Sequence, residues 1–472
     1  MSVTAKHPEY TASREYQWRQ MRDTVNGSLA VKRRGTAYLP MPNGFKAMAD
    51  QGEAAYSAYT TRADFPEIVA PSIGAMVGIV HGKEIQVDMP DALKYLWEDA
   101  DGHGMSLEAF HRTITRHLLT LGRYAVLADA PASGEPFLAG YAAESIINWD
   151  VNFYVLDETY LKRDGFIWTQ EPRYRVLELV DGLYQATEYE GNLGQGESIT
   201  PTARGNAPMR SIPFAVANAR DLSAAIESPP LIGVSDAAIS IYQLSADYRL
   251  QLFMSGQETL VAINGEAPNL VGAGVVHQMN GTSDLTPDLK YVSPSCSGIE
   301  AHKEAMTEQR EAAVMAGARM FENGGNAQES GEARKLRFAS ETANLMSVAM
   351  ASCGLLERGL KGAAMLAGLN PNEVVVTPPS DLLDNTMSPA DLAALFDVYE
   401  KEGMSWQTYY ERGQRGGIFS TERDADTEFD MITGDFVASD EPPMPEPDAR
   451  QDVDATRPIT ASLGVTDVVA GR

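Results

Sequence analysis

The sequence predicts an α+β protein, with helices mostly ahead of strands and a long helical apparatus behind them. Three observations carry this reading. Before Gly122 the apolar residues recur at helical spacing, and from Tyr141 to about Val216 they alternate as in strands. From 229 to 369, two helical patterns enclose a non-helical insert; a Gly/Asn-rich loop and one very long helical pattern follow.

A helix is expected over about 7–30, broken by Gly35-Thr-Ala-Tyr-Leu-Pro-Met-Pro42. Helices at 50–63 and 66–80 precede a polar strand at 83–87. Two more helices follow at 91–99 and 106–122, with Ser106 as cap and Glu108 in the first turn of the second. A short buried strand occupies 124–129. Strands are expected at 145–149, 151–156, 165–170, 174–179 and 183–189, with Asp181-Gly182 as a hairpin turn.

Pro229 suits a helix start, and Leu231, Val234, Ala238, Ile241, Tyr248 and Leu252 make one apolar stripe behind it. Residues 257–298 carry a strand-like Thr259–Ile263, a glycine break and a turn near Asn280-Gly281. Ile299, Met306, Ala313 and Met320 sit seven apart, a narrow stripe suited to helix-on-helix packing. The polar loop at 322–331 opens into a helical pattern running to about Ala367, whose Gly354, Gly359 and Gly362 offer places to bend. A strand at 373–377 and helices at 388–402 and 405–413 complete the ordered part. The acidic, Pro-rich residues 421–472 are expected to be disordered.

Length and charge narrow the function. A chain of 472 residues is too long for one hydrophobic core. Its formal net charge of −27 gives no general attraction for nucleic acid, which argues against DNA wrapping or sequence reading. A conduit that must not grip a polyanion is compatible with that charge. Cys296 and Cys353 share no spacing motif and fit a reducing compartment. No apolar leader region precedes residue 20, and no apolar stretch reaches the roughly 18–20 residues of a membrane span, so a soluble intracellular product is expected.

Tests for catalysis find no foothold, and neither cofactor nor metal is expected. No GxxxxGKS/T loop occurs, and Gly272-Ala-Gly274 is followed by His277 where a dinucleotide fingerprint requires Gly. No GxSxG elbow occurs. His103, His111 and His117 lack metal-ligand spacing and are read as surface or interface residues. Asp424, Asp426, Glu428 and Asp430 alternate like a calcium loop, with Asp435 twelfth, but Phe429 stands where the turn needs Gly; a solvated acidic tail is the plainer reading. Arg334, Lys335 and Arg337 form one tight basic cluster in an ordered segment. They suit ion pairs with Glu329, Glu332 and Glu341, or contact with a phosphate or a neighbouring subunit.

The order helix, β-insert, helix, Gly-rich loop and long helix resembles that of tailed-phage portal proteins. One subgroup, long catalogued as a domain of unknown function, is similar in detail. Trp18-Arg-Gln-Met-Arg-Asp23, Val31-Lys-Arg-Arg-Gly35 and Tyr38-Leu-Pro40 resemble its N-terminal signature. Tyr59-Thr-Thr-Arg-Ala-Asp-Phe65, Leu121-Gly-Arg-Tyr-Ala-Val-Leu-Ala-Asp129 and Ile146-Ile-Asn-Trp149 are also similar. So are Pro230-Leu-Ile-Gly-Val-Ser-Asp236, Ser245-Ala-Asp-Tyr-Arg249 and Gly331-Glu-Ala-Arg334. The resemblance covers roughly residues 15–420.

The resemblance implies a portal fold and a ring of twelve subunits around a DNA channel, in a virion assembled in the host cytoplasm. Residues 1–228 would form an α+β wing region, 229–256 and 299–320 the stem helices, and 257–298 a short clip. Residues 321–331 would be the tunnel loop, with Asn323, Gly324, Gly325, Asn326 and Gln328 facing DNA. Residues 332–387 would hold a long, kinked wing helix and a strand, and 388–420 a small crown. Expected partners are further copies of the chain, the terminase large subunit, a head-tail adaptor, major capsid and scaffold proteins, and passing double-stranded DNA, with no membrane. The acidic tail has no counterpart in the motif pattern. Two other readings remain open on the residues: a virion or scaffold-associated protein without a channel, and a hydrolase whose pocket the sequence does not reveal.

Overall fold

The computed structural model describes residues 2–131, 134–190, 196–256, 258–272, 274–282, 284–292, 298–317, 331–379, 389–401, 403–415, 418–419 and 423–433, with the backbone alone for 331–344, 389–391, 415 and 433. The chain divides into two compact units, Met1–Leu383 and Asp384–Arg472.

The first unit opens with α1 (Ala12–Val25), capped by Thr11, and α2 (Ser28–Arg33). Then come α3 (Asn43–Lys46), α4 (Glu53–Arg62) and α5 (Val69–Val80), whose Pro71 sits in the first turn, where no helical N–H is lost. β1 (Gln86–Asp88) and a 3-10 helix at Asp91–Trp97 lead to α6 (Leu107–Leu121). Ser106 caps α6 as expected, and Leu107, Phe110, Ile114, Leu118 and Leu121 bury one face of it.

Strands follow: β2 (Arg123–Asp129), β3 (Phe137–Ala142), β4 (Ile146–Asp150), β5 (Phe153–Asp157), β6 (Tyr160–Asp164), β7 (Ile167–Glu171), β8 (Arg173–Val180), β9 (Leu183–Glu190), β10 (Glu197–Ile199), β11 (Thr202–Ala203), β12 (Ala207–Pro208) and β13 (Phe214–Asn218). They form a three-stranded sheet β13-β2-β3, a five-stranded sheet β10-β9-β8-β5-β4, and separate pairs β6-β7 and β11-β12, all antiparallel. Asp181 and Gly182 both take positive φ between the paired Val180 and Leu183, as a two-residue type I′ turn demands.

Arg175 on β8 ties the two larger sheets together. Its Nη1 lies 2.6 Å from Asp129 of β2, its Nη2 3.0 Å from Glu188 of β9, and its Nε 3.0 Å from Glu158 without hydrogen-bond alignment. The surrounding carboxylates and Tyr141 outweigh the burial that would push this guanidinium's pKa down. Arg123 is fully buried; it lies over the Trp149 ring at 3.9 Å, and His7 stacks on the same ring at 3.9 Å.

The chain continues through α7 (Ile232–Ser255), β14 (Thr259–Ile263), β15 (Asp288–Val292), α8 (Ile299–Met315), α9 (Gly331–Leu366) and β16 (Val375–Thr377), which pairs with β1. α9 lies against β2 and β13, and α6 packs on both α9 and β2. Its glycines, expected as places to bend, allow a close approach to the sheet. α9 is one continuous helix, and a Cβ at Gly359 would come within 2.7 Å of Val126, one at Gly362 within 2.9 Å of Ala128. These positions let a helix lie directly on a sheet. The main core joins α1, α5, α6, α7, α9 and the three-stranded sheet.

The second unit is a helical cluster of α10 (Pro389–Glu400), α11 (Trp406–Arg415) and α12 (Ala425–Thr433). Aromatic side chains hold it: Tyr399 stacks on Tyr409 at 5.3 Å, Tyr410 on Phe419 at 5.1 Å, and Trp406 donates its indole N–H to Ala425 O at 2.7 Å. α12 lies within the stretch expected to be disordered. Phe429 meets Trp406, and Asp424 caps the helix through Thr427 N at 2.7 Å, so the first acidic residues of the tail belong to a helix start. Residues 434–472 lie outside the described residues.

Candidate functional site: an anchored helix pair

α7 and α8 pack antiparallel, joined through the β14-β15 hairpin. Gly298 lies against Gln251 at one end of the pair, and Ala316 lies against Gly233 at the other, close enough that a Cβ on Gly233 would be 3.0 Å away. Of the four heptad-spaced residues, Met306 and Ala313 are buried and Ile299 is half-buried on α8, while Met320 lies outside the described residues. α8 ends at Met315, short of the expected 320. Gly317 takes φ +124, a conformation that an L side chain rarely adopts and that breaks the helix.

The first two-thirds of α7 is gripped by polar side chains from three N-terminal elements. Gln20 of α1 donates to Ser235 at 3.1 Å and Asp236 at 2.6 Å, and Thr24 meets Ser235 at 3.0 Å. Gln243 reaches Tyr38 O at 2.7 Å. Tyr59 of α4 donates to Asp247 at 2.5 Å; burial first, then that carboxylate, pushes its phenol pKa up. Ser245 and Asp64 exchange two bonds at 2.9 and 2.8 Å, and Arg249 pairs with Asp64 at 2.9 Å. Phe65 closes on Tyr242 edge-to-face at 6.2 Å. Behind these, Asp23 holds Arg34 through two bonds at 2.7 and 3.1 Å and accepts from Tyr38 at 2.7 Å, which raises the Arg34 pKa.

The sequence motifs around Trp18, Tyr59, Pro230 and Ser245 are therefore partners in one clamp. Their spacing does not reveal the pairing, because the contacts span up to 216 residues. The far end of the pair is bare by contrast. Leu252, Phe253 and Met254 are exposed, with Arg62 laid over the Phe253 ring at 3.8 Å, and Leu270, Val271, Val276 and Tyr291 of the insert are exposed too.

At the root, where α8 ends beside the start of α7 and the flank of α9, a cavity of about 480 Å³ is lined by Met76, Leu119, Ser228, Leu231, Met315 and Val348. Arg220 and Glu227 pair at 3.2 Å in its wall. Asn323, Gly324, Gly325, Asn326 and Gln328, which follow α8 in sequence, lie outside the described residues. Arg334, Lys335 and Arg337 fall in the first turns of α9, where only the backbone is described.

A buried polar cluster between the end of α5, α6 and α9 escaped the sequence reading. His111 is buried rather than on the surface, since α9 covers it: its Nε2 lies 3.1 Å from Ser352 Oγ and 3.7 Å from Cys353 Sγ. His81 packs on the His111 ring at 4.6 Å and bonds Thr115 at 2.9 Å. Burial pushes His111 down to about 3 and Cys353 up to about 12, so both are neutral near pH 7 and the pair offers neither thiolate nor imidazolium. His117 stacks on Tyr124 at 4.6 Å, and His103 is exposed. Among the described residues, no group of three or more His, Cys, Asp or Glu could hold a metal ion, and no helix is long and apolar enough to cross a membrane.

A family model described as a domain of unknown function (DUF4055) matches residues 230–366. No curated protein matches the sequence significantly. Among solved structures, a chain from the neck of an empty GTA particle computed with C6 symmetry is similar at 14% identity and a TM-score of 0.39, covering 78% of this chain and 90% of its own. A chain from the neck of a native GTA particle computed with C12 symmetry has the same identity, TM-score and coverage of this chain, over 89% of its own. The family match spans the helix pair, its hairpin, the following loop and the long helix.

Proposed function

We propose that this chain is a non-enzymatic portal subunit, one of about twelve in a closed ring at a capsid vertex through which double-stranded DNA is packaged and ejected. The anchored helix pair carries the reading. A conduit subunit needs a stiff rod fixed at one end, a free end for docking partners, and a route for a loop toward the axis. α7 and α8 supply the rod, and the clamp on Ser235, Asp236, Ser245 and Asp247 fixes it. The β14-β15 hairpin with its exposed apolar side chains suits docking of a terminase and, later, a tail adaptor. The segment between α8 and α9 is the route for the loop. Six of the motifs that resemble those of portals, around Trp18, Val31, Tyr38, Tyr59, Pro230 and Ser245, contribute residues to the clamp.

The charge agrees with passage rather than grip. A chain at −27 repels DNA, and Asn323, Asn326 and Gln328 offer weak polar contacts without the cations that would hold phosphate. Arg334, Lys335 and Arg337 stand next to this loop in sequence and are the candidates for phosphate or inter-subunit contact. Deletion of residues 323–328 tests the assignment. Rings should still form while DNA packaging or retention fails; normal packaging by the deleted form contradicts it.

A further inference from the structure

Among the described residues, the β6-β7 hairpin is left almost uncovered, with Arg173 over the Tyr160 ring at 5.2 Å as a contact at its base. Every residue from Tyr160 to Gln170 in its two strands is exposed, and the pair joins no larger sheet. Gly165 at φ +59 followed by Phe166 makes the two-residue turn, the type II′ pattern with Gly at its first central position. The turn holds Phe166 fully out at 101% exposure, with Ile167 at 69%, Leu161 at 64% and Trp168 at 60%. The register puts Leu161, Arg163, Trp168 and Gln170 on one face, where Leu161 and Trp168 are diagonal neighbours. A lone two-stranded hairpin is marginal in water, and an apolar patch of this kind on a soluble protein marks an interaction site.

We infer that the β6-β7 hairpin is the anchor by which one copy of the chain docks on the next. This rests on the self-assembly reading above and names its contact. Charge permits a second copy of the chain to dock here. The chain carries −27, so copies repel each other over most of their surface, and contact is cheapest where the charge is balanced. The hairpin is such a place: Lys162 and Arg163 balance Asp164 and Glu171. Its neutrality equally disfavours nucleic acid, which needs excess cations.

Area fits an anchor. Burying Phe166 and Trp168 removes roughly 300–500 Å², about half of the ~800 Å² that each side of a stable protein interface contributes. A receptor on a different surface of the next copy makes the contact heterologous, and such a contact propagates from copy to copy, as ring closure requires.

The test compares the full chain with the double variant Phe166→Ser/Trp168→Thr, residues that suit a II′ turn and a strand. Sedimentation over a concentration series reads the assembled fraction, and circular dichroism with thermal melting reads the fold. Losing two aromatic anchors should weaken self-association on the order of 100-fold or more while the melt stays unchanged. Hydrogen exchange of residues 160–171 in the unaltered chain gives an independent reading, with protection appearing only on assembly. If the unaltered chain assembles and the variant assembles equally well, or the hairpin stays unprotected in the assembly, the inference is overturned and the ring reading stands. If the unaltered chain never assembles at any concentration or with scaffold protein, both are overturned.

Discussion

Three histidines are stored in the folded chain in their neutral form. Burial holds His111 down to about 3 and His81 and His117 down to about 4, against an unfolded value near 6.5. Between about pH 6.5 and pH 4 the unfolded chain therefore binds protons that the folded chain does not. Stability falls as pH drops through that window and is unaffected by these groups above it. The thermal midpoint of the first unit should fall between pH 7 and pH 5. His111→Gln, which can still bond Ser352, should make that slope shallower; an unchanged slope would contradict the assignment. None of this was legible from spacing. His111 lies 241 residues from Ser352, and a histidine that is exposed at one helical position is buried at the next when a distant helix covers it. Asp23, by contrast, sits inside a motif visible in the sequence, yet its roles as acceptor for Arg34 and Tyr38 emerged only from the fold.

At the scale of elements, the packing of α9 on β2 decides how the long helix is tolerated. Gly359→Ala gains about 1 kcal/mol in helix propensity but places a Cβ 2.7 Å from Val126, and overpacking of a tight core costs about 1–3 kcal/mol. Crowding wins, because the obstacle is a branched side chain on a central strand that is itself fully buried. The variant should melt lower than the unaltered chain, and a higher melting point would sink this account of the glycines. The long helix itself was legible because 36 residues of Ala-, Met- and Leu-rich pattern contain no proline. The role of its glycines was not, since a bend and a close approach ask for the same residue. β15 and β6 were missed for a related reason. Both are short, mostly exposed strands, so neither shows the alternation that a half-buried strand displays. The end of α8 was misjudged because the heptad stripe continues through Met320, while Gly317 ends the helix by its backbone conformation.

At the scale of the molecule, one rod with a fixed root and a bare tip is a poor monomer and a reasonable part of a ring. The clamp draws on four separated stretches of sequence, Gln20–Thr24, Tyr38, Tyr59–Phe65 and α7, to immobilise a helix whose far end meets solvent. The exposed side chains at that far end, and those of the β6-β7 hairpin, are surfaces that assembly would cover. The broad α+β architecture was legible from pattern alone; which surfaces are left bare was not, because exposure is a property of the packed whole. Ring closure by copies of this chain is read most directly from the native mass of the purified protein by light scattering, joined to negative-stain projections. For a chain of 51.2 kDa, the account predicts particles of ~0.6 MDa, about twelve copies, with a central hole. A stable monomer or dimer, persisting at high concentration and in the presence of scaffold protein, would contradict it.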